Sequence, residues 1–260
     1  MRRKACCAGW RAFIAGGWAE TRTDEGMSNS PVCIIVPVLN EAAELAARLQ
    51  ALQVFRQRGA LLVVVDGGSS DTTLEIARAH ADLALQAPRG RAAQMNAGAA
   101  ACPRAPLLLF LHADTVLPEQ ADQQVQAACA EPMAWGRFDV RIASPRPLLR
   151  LVARMMNLRS RLSGIATGDQ AIFMRRELFE RTGGFPDLPL MEDIALCKQL
   201  KRWSRPLCLR ATVETSARRW EKHGVCRTIL LMWRLRAAYF FGADPAQLAI
   251  HYGYRPRNDV

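Results

Sequence analysis

The stretch LLLFLHAD, at residues 107–114, decides the fold of this chain. Its first five residues are apolar, and so short a run is typical of a strand buried on both faces, as in a parallel sheet. Ligands of open α/β sheets bind outside the carboxyl ends of the strands, so Asp114 is placed for chemistry or for a metal. Residues 61–65, LLVVV, end in the same way at Asp66. Two strands that bring acids to one edge indicate a nucleotide site.

An acid after a strand also has a simpler explanation, because Asp often only caps the helix that follows. Residues 72–75 have the spacing of a capping box, and for Asp71 a capping role is at least as well supported as ligand contact. Capping explains Asp66 less well, because the two glycines after it allow a phosphate or another backbone to approach closely. For Asp114 alone, the sequence leaves both roles open.

Strands and helices alternate through the first half of the chain. The patterns predict strands at 32–37, 61–65, 83–85 and 107–111, and helices at 41–52, 74–80, 92–99 and 119–130. This alternation is the signature of parallel strands joined by right-handed crossovers. The predicted fold class is therefore α/β, with a Rossmann-like, mostly parallel sheet flanked by helices.

The pattern changes after Trp135. Residues 137–141 alternate as a half-exposed strand, and residues 148–162 form a basic amphipathic helix. GDQ at 168–170 precedes another strand, and we expect this second part to be the acceptor side. Residues 228–241 predict a helical C-terminal appendage, which we expect to pack in the core rather than to lie in a membrane interface, although both would share its basic and aromatic composition.

Composition favours one α/β domain with a sizeable core, because 50% of the 260 residues are hydrophobic. The eight cysteines include no CxxC pair, and no histidine lies at zinc-finger spacing. Neither a zinc site nor a disulfide framework is indicated, and a reducing cytoplasm is the expected location.

The net charge of +11 is unevenly distributed. Residues 1–26 carry +2, residues 27–136 carry −3, and the rest of the chain carries +12. The second half therefore favours anionic partners, such as phosphates, an acidic or lipid acceptor, or the inner face of a membrane as a peripheral contact. Nucleic acid is not expected, because the sequence has no helix-turn-helix signal, zinc finger or aromatic-and-glycine stretch.

The predicted organisation has three parts. Residues 1–30 form a disordered extension that mimics a targeting segment, although Arg11 interrupts its apolar stretch and Met27 could be the true start. Residues 31–223 form the main α/β domain with the predicted nucleotide site, and residues 224–260 form a C-terminal helix and tail.

Four motifs occur in the order found in inverting family-2 glycosyltransferases with the GT-A fold, and the chain resembles that family. VPVLNE at 36–41 resembles the opening nucleotide-contacting strand and turn, and VDGGSSD at 65–71 resembles the family's VDDGSTD segment. LHAD at 111–114 lies where the metal-binding DxD motif belongs. GGF at 183–185 and MED at 191–193 resemble the acceptor-side GGF and ED motifs. The resemblance covers residues 32 to about 220. It is specific because the four motifs occur together in the family's order.

A narrower resemblance is to the branch labelled arsenosugar-biosynthesis glycosyltransferase-like. It rests on GRAAQMNAG at 90–98, LHADT at 111–115, GDQ at 168–170 and SARRW at 216–220. Three positions depart from the parent family. Gly67 replaces the second acid of VDDGSTD, His112 replaces the first acid of DxD, and Ser216 replaces the glutamine of QxxRW in processive relatives. The last departure favours transfer of a single sugar.

The resemblance implies roles for individual residues. Asp193 would be the catalytic base with Glu192 orienting it, although Asp193 could also simply cap its helix. Asp114 would hold Mg²⁺ or Mn²⁺, and His112 would fill space beside the metal. The implied nucleotide-sugar-binding residues are Pro37, Asn40, Glu41, Asp66, Gly68, Arg91, Asn96, Ala113, Arg219 and Trp220. The implied acceptor-binding residues are Gly168, Asp169, Gln170 and Phe185.

The sequence leaves two other functions open. Gly67 and His112 are compatible with a non-catalytic protein that only binds nucleotide sugars. A sugar-phosphate nucleotidyltransferase could share the sheet and the acids, but it usually opens with a glycine-rich basic loop, whereas the first strand here runs into VLNE. The expected donor is a UDP-sugar.

Overall fold

A computed structural model of the protein describes residues 31–254, so the predicted N-terminal extension lies outside the described residues. The strands are β1 (Val32–Val38), β2 (Leu61–Asp66), β3 (Leu83–Gln86), β4 (Leu107–Phe110), β5 (Thr115–Val116), β6 (Trp135–Ala143), β7 (Ile172–Arg175) and β8 (Leu207–Ser216). The helices are α1 (Ala42–Ala51), α2 (Gln53–Gln57), α3 (Thr73–His80), α4 (Arg91–Ala101), α5 (Ala121–Ala128), α6 (Pro147–Ser163), α7 (Arg176–Thr182), α8 (Glu192–Leu200), α9 (Arg218–His223), α10 (Val225–Phe240) and α11 (Pro245–Tyr252). A short 3₁₀ turn covers Gly168–Gln170.

The strands form one sheet in the order β3-β2-β1-β4-β7-β6-β8-β5. The first four are parallel to one another, β7 runs antiparallel to β4 and to β6, and β8 runs parallel to β6. The predicted α/β class with a mostly parallel sheet flanked by helices is therefore confirmed. The carboxyl ends of β1, β2 and β4 meet at one edge, as the LLLFLHAD and LLVVV stretches predict.

Apolar residues cover both faces of the parallel half of the sheet. In β1, Ile34 packs into the core on one face and Ile35 packs into the core on the other, and both are fully buried. Burial on two faces explains why these strands are continuous hydrophobic runs instead of alternating ones.

The capping box predicted at residues 72–75 is wrong, whereas the capping role considered for Asp71 is confirmed. The Thr72 side chain makes no capping hydrogen bond. Instead, the Asp71 carboxylate accepts hydrogen bonds from the backbone N–H groups of Thr73 at 3.0 Å and Ala42 at 3.3 Å. Asp71 thus ties the starts of α1 and α3 together behind the edge that carries the site.

The C-terminal segment is two helices, and the prediction that its first helix is packed in the core is wrong. Only Val225, Thr228 and Leu235 of α10 are buried, whereas Trp233 is 68% exposed and Phe240 is 77% exposed. The reason is that α10 packs along one side only, where its apolar residues join α11 and the start of α8 in one cluster and α6 in another. Across residues 31–254, no helix combines the length and apolarity that crossing a bilayer requires.

Candidate active site

Asp66 organises the loop that follows β2. Its side chain is buried and accepts hydrogen bonds from the backbone N–H groups of Gly68 and Ser69, both at 3.0 Å, and from the Ser69 hydroxyl. Gln86 on the neighbouring strand donates a further bond at 3.3 Å. The carboxylate that we predicted to contact the nucleotide therefore also fixes the shape of the loop.

The loop after β1 lies against the loop after β2. Asn40 has a positive φ of 51° and accepts a hydrogen bond from the Ser70 N–H at 2.9 Å through its side-chain oxygen. Glu41 forms an ion pair with Arg218 at 3.1 Å, which joins this loop to the start of α9. Pro37 precedes this loop; it is buried within β1 and pairs with Val65 of β2.

Gln94 on α4 is a residue that the sequence did not single out. Its buried side-chain amide donates hydrogen bonds at 2.8 Å to the carbonyls of Val38 and Val65, at the ends of two parallel strands. A Cβ at Gly67 would lie 3.1 Å from this amide. The glycine in place of the family's second acid thus makes room for the side chain that holds the two strand ends together.

Asp114 follows β4 at the same edge. It is partly exposed, and its backbone carbonyl accepts a hydrogen bond from the Ser216 N–H at 3.2 Å, while Ala113 packs partly against the core. Within the described part of the chain, no group of three acidic, histidine or cysteine side chains could hold a metal by itself. One partly exposed carboxylate suits a hard cation that shares its coordination with substrate phosphates, because Mg²⁺ is commonly held by one or two carboxylates plus phosphate oxygens. Asp114 therefore fits the implied cation.

His112 faces the 3₁₀ turn, where its Nδ1 lies 3.4 Å from Asp169 Oδ1. The imidazole packs so closely on Gly168 that a Cβ there would lie 2.1 Å from Nε2, a distance that no side chain can adopt. Although burial acts to raise the pKa of Asp169, the contact with His112 and the charges of Arg91 and Arg236 lower it. The turn therefore presents an ionised carboxylate beside a histidine.

The two acids at the start of α8 differ in their surroundings. Asp193 accepts hydrogen bonds from the backbone N–H groups of Gly168 at 3.0 Å and Ile194 at 2.7 Å. Glu192 is 5% exposed, and burial followed by repulsion from Asp193 raises its pKa from 4.5 to about 7. Adjacent acids whose environments differ in this way often divide catalytic roles between them. Met191, just before them, adopts a positive φ of 68°.

The GGF segment is positioned by Asn96. The Asn96 side chain donates to the Phe185 carbonyl at 2.8 Å and accepts from the Phe185 N–H at 2.9 Å. Phe185 in turn meets Phe110 edge to face at 4.9 Å. The Asn96 side chain, predicted to bind the nucleotide sugar, thus positions the backbone of Phe185, which is predicted to bind the acceptor.

Gln170 is fully buried at the end of the 3₁₀ turn. Its amide donates to Asn157 Oδ1 of α6 at 3.3 Å and accepts from the Thr167 N–H at 3.3 Å. This places the predicted acceptor-binding turn directly against the basic helix α6.

Arg91 and Arg219 meet the end of the chain that the structure describes. The Arg219 guanidinium lies over the Tyr252 ring at 3.6 Å, and that of Arg91 lies 5.9 Å from the Tyr254 ring. Glu192 and Asp169 are among the charges that act on Arg91, so this arginine borders the acids as well. Trp220 packs instead with the apolar side chains between α6 and α10.

A small cavity joins these parts. It is lined by Met95, Phe110, His112, Gly168, Ile172, Phe185, Glu192 and Asp193. Five of these eight are residues to which the resemblance assigns a role, whereas Met95, Phe110 and Ile172 are apolar residues for which no role was predicted. The structure thus brings the predicted acids, the histidine and the acceptor-side residues to one place.

Comparison with known proteins identifies one family and several solved structures that share the fold. The family model described as glycosyl transferase family 2 matches residues 33–183. No curated protein sequence matches the chain.

Three solved structures illustrate the shared fold. The mannosyltransferase PcManGT from Pyrobaculum calidifontis, in complex with GDP-Man and Mn²⁺, is 22% identical with a TM-score of 0.57, over 95% of this chain and 71% of that one. TarS 1-349 from S. aureus, in complex with UDP, is 21% identical with a TM-score of 0.56, over 71% and 60%. Glucosyl-3-phosphoglycerate synthase from Mycobacterium tuberculosis, in complex with Mn²⁺, UDP and glucosyl-3-phosphoglycerate, is 16% identical with a TM-score of 0.53, over 76% and 77%. The chain therefore spans about 60% of the TarS fragment.

Proposed function

Because the chain belongs to glycosyl transferase family 2, we propose that it transfers a single sugar from a nucleotide-diphosphate sugar to an acceptor hydroxyl, with inversion at the sugar carbon. The observation that carries this proposal is the cavity that is lined by Glu192, Asp193 and His112. His112 lies two residues before Asp114 in the sequence. This arrangement supports a carboxylate base close to the point where a diphosphate would leave.

The donor half of the site is the edge formed by the loops after β1, β2 and β4. Asn40, Glu41 and Gly68 would border the base and ribose, and we propose a UDP-sugar as the donor. Structures of the fold neighbours contain UDP or GDP-Man, which supports a nucleotide sugar of this kind.

The leaving diphosphate gains negative charge as the bond to the sugar breaks, and that charge requires stabilisation. Asp114 would hold Mg²⁺ or Mn²⁺, which would neutralise the diphosphate when bound. Arg91 and Arg219, which the family resemblance implies for the nucleotide sugar, would add positive charge to the donor diphosphate. Two of the fold neighbours were solved with Mn²⁺.

The acceptor half is formed by Gly168, Asp169 and the start of α8. Asp193 would take the proton from the acceptor hydroxyl while that oxygen bonds to the sugar carbon on the face opposite the diphosphate. The bond to the diphosphate breaks in the same step, and the diphosphate leaves with the electron pair. Ser216 in place of the processive family's glutamine supports transfer of one sugar. The arsenosugar-biosynthesis-like branch stays a prediction from its four motifs.

The first test of this function is a panel of nucleoside diphosphates added to the wild-type protein with and without Mn²⁺. Binding to the native state raises the melting temperature, so one nucleotide is expected to give a metal-dependent increase that the others do not. Thermal unfolding followed by intrinsic fluorescence measures it. If no nucleotide changes the melting temperature, the donor site proposed here is incorrect.

We also propose a peripheral contact with the cytoplasmic face of an anionic membrane, through α6 and α10. On α6, apolar side chains at helical spacing are exposed: Leu148, Leu151, Met155, Leu158 and Leu162. On α10, the exposed apolar side chains are Leu230, Trp233, Phe240 and, just beyond its end, Phe241. Buried side chains of the two helices share one cluster, so these stripes lie on adjacent helices.

Charge identifies the surface that these stripes suit. Neither helix contains an acidic residue, and exposed arginines flank both stripes, among them Arg150, Arg154 and Arg234. An apolar stripe with basic flanks is the pattern of a helix that lies in the interface of an anionic bilayer.

The membrane proposal predicts sedimentation of the protein with vesicles of equal phosphatidylglycerol and phosphatidylcholine at low salt. Pure phosphatidylcholine vesicles are expected to retain much less. A Trp233→Ser and Phe240→Ser double variant should bind roughly tenfold more weakly, because each lost aromatic side chain removes apolar area from the contact. Trp203→Ser, at an exposed tryptophan outside α6 and α10, is the matched control. The proposal is wrong if the anionic vesicles retain no protein.

A further inference from the structure

His112 connects the two halves of the site. It follows β4 on the donor side, two residues before Asp114, in the position of the first acid of the DxD motif. Its side chain is only 11% exposed, and it contacts the acceptor half at Gly168 and Asp169 of the 3₁₀ turn. A residue that belongs by sequence to the metal motif is therefore in contact with the acceptor half.

Each ring nitrogen of His112 has a different neighbour in that turn. Nδ1 lies 3.4 Å from Asp169 Oδ1, and a neighbouring carboxylate favours the proton on this nitrogen. At the other end of the ring, Nε2 and Cε1 cover Gly168 so closely that a Cβ there would lie 2.1 Å and 2.2 Å from them. Because protein interiors are close-packed, a ring that meets the turn at two places leaves it little room to shift.

The same turn holds the proposed base. The Gly168 N–H donates to Asp193 Oδ2 at 3.0 Å, and the Ile194 N–H donates to Asp193 Oδ1 at 2.7 Å. The second donor belongs to the helix that Asp193 itself starts, whereas the first comes from a segment 25 residues away. The direction of the carboxylate therefore depends on where the turn lies.

The backbone near this contact also requires support. Ala171, directly after the turn, has a positive φ of 48°, and Met191, two residues before Asp193, has a positive φ of 68°. Such conformations cost free energy in residues other than glycine and persist only where the surrounding structure holds them. The ring of His112 supplies part of that support, and it lines the same cavity as Asp193.

We propose that His112 is a positioning residue for the base Asp193. It fixes the 3₁₀ turn, so that the Gly168 N–H holds the carboxylate in the direction needed to take a proton from the acceptor. This inference rests on the proposed glycosyl transfer, because it assigns a role in the same reaction. It differs from the role that the resemblance implies for His112, which is to fill space beside the metal. Nucleotide and metal binding then do not require the histidine, whereas the rate of the chemical step does.

Two substitutions of the same shape test the contact between His112 and Asp169. His112→Asn keeps an N–H group near the position of Nδ1, whereas His112→Leu has the same branched outline and donates nothing. Both lack the part of the ring that covers Gly168, so the difference between them isolates the polar contact. Leucine suits this position because Met95, Phe110 and Ile172 line the same cavity.

The assay measures release of nucleoside diphosphate from UDP-N-acetylglucosamine, UDP-glucose or GDP-mannose with Mn²⁺, and water serves as the acceptor. His112→Leu is expected to lower kcat at least about tenfold, because misplaced catalytic groups lose rate factors of this size or more. Nucleotide affinity should stay within about twofold, as expected when only the chemical step is impaired. His112→Asn should stay within about threefold of the wild type, because it keeps the donor.

His80→Leu is the matched control, since His80 lies at the end of α3 that is distant from the site. It should change neither kcat nor nucleotide affinity. The inference is overturned if kcat is unchanged in His112→Leu, or if His112→Asn is as slow as His112→Leu. Loss of Mn²⁺-dependent nucleotide binding in His112→Leu would assign the histidine to the metal and would overturn the inference as well.

A double-mutant cycle tests whether His112 acts through Asp193. Residues that act as a unit give non-additive losses, so His112→Leu is expected to cost at most about twofold more in an Asp193→Asn background. A further tenfold loss, of the size expected on the wild-type background, would show that the histidine acts independently, and the inference would be wrong.

Hydrogen exchange at the Gly168 amide gives a readout that needs no substrate. Exchange reports local opening, so His112→Leu is expected to speed it at least about tenfold, whereas His112→Asn should keep it near the wild-type rate. Unchanged exchange in His112→Leu overturns the inference, whatever the donor panel shows. If exchange rises but no nucleotide changes the melting temperature, the glycosyl transfer is incorrect, whereas the support of the turn by His112 is retained.

Discussion

Asp193→Asn is expected to reduce sugar transfer by at least about a hundredfold and to leave donor affinity nearly unchanged. General base catalysis contributes rate factors of this size or larger, and asparagine cannot accept a proton from the acceptor hydroxyl. The substitution preserves the size of the side chain, and its amide oxygen can still accept the Gly168 N–H that Asp193 accepts at 3.0 Å. Transfer rates at saturating donor, together with nucleotide affinity from calorimetry, measure the two effects. Retained turnover would exclude Asp193 as the base.

Glu192→Gln is the matched control, because it removes the neighbouring acid. We expect it to keep transfer within about tenfold of the wild type, since Glu192 is assigned an orienting role. If Glu192→Gln abolishes transfer and Asp193→Asn does not, Glu192 is the base, and its pKa of about 7 would suit that role.

The same variant tests the pKa of Glu192 through stability. Its pKa is raised from 4.5 in the unfolded chain to about 7 in the folded protein, so the folded state binds more protons between these values. The free energy of unfolding should therefore decrease as the pH rises from about 4.5 through 7. Glu192→Gln should remove this part of the decrease, which denaturant titrations at several pH values can measure.

Asp114→Ala is expected to abolish the Mn²⁺-dependent part of nucleotide binding. At a free nucleotide concentration of ~100 times Kd, binding stabilises the native protein by about 2.7 kcal/mol, and this gain should shrink to its metal-independent part in the variant. The physical reason is that Asp114 supplies a partly exposed carboxylate shortly after β4, which would hold a hard cation against the diphosphate.

Glu131→Ala provides the control for Asp114→Ala, since it removes an exposed carboxylate from a loop outside the site. Its response to nucleotide and Mn²⁺ should equal that of the wild type. A full metal-dependent increase in the melting temperature of Asp114→Ala would remove Asp114 as the metal ligand.

The parallel half of the fold was predictable because its strands are buried on both faces. A strand such as β2, whose six residues are all buried, is a continuous apolar run that sequence alone identifies. The strand β8 was not predicted, because its ten residues mix buried, partly buried and exposed positions without a strict period of two. It pairs with β6 across a break in register between Phe138 and Asp139, which no local pattern encodes.

The exposure of α10 could not be predicted for a similar reason. Its sequence shows apolar and basic residues in a helical pattern, but only the positions of α6, α8 and α11 determine which side is covered. Arg218 illustrates the same limit within a quoted motif, because its ion pair with Glu41 joins segments that are 177 residues apart.

The resemblance to a known family indicated Glu192 and Asp193, whereas the sequence by its own patterns determined the α/β class, the edge where the parallel strands end, and the acids Asp66 and Asp114 at that edge. These follow from local patterns, since buried strands and the turns after them are recognisable in short windows. Tertiary structure alone decided which groups act on one another: the raised pKa of Glu192, the contact of His112 with Gly168, and the hydrogen bonds from Gln94 to the carbonyls of Val38 and Val65. The physical reason is that burial and charge interactions depend on distances between segments far apart in the chain, which only the packed fold sets.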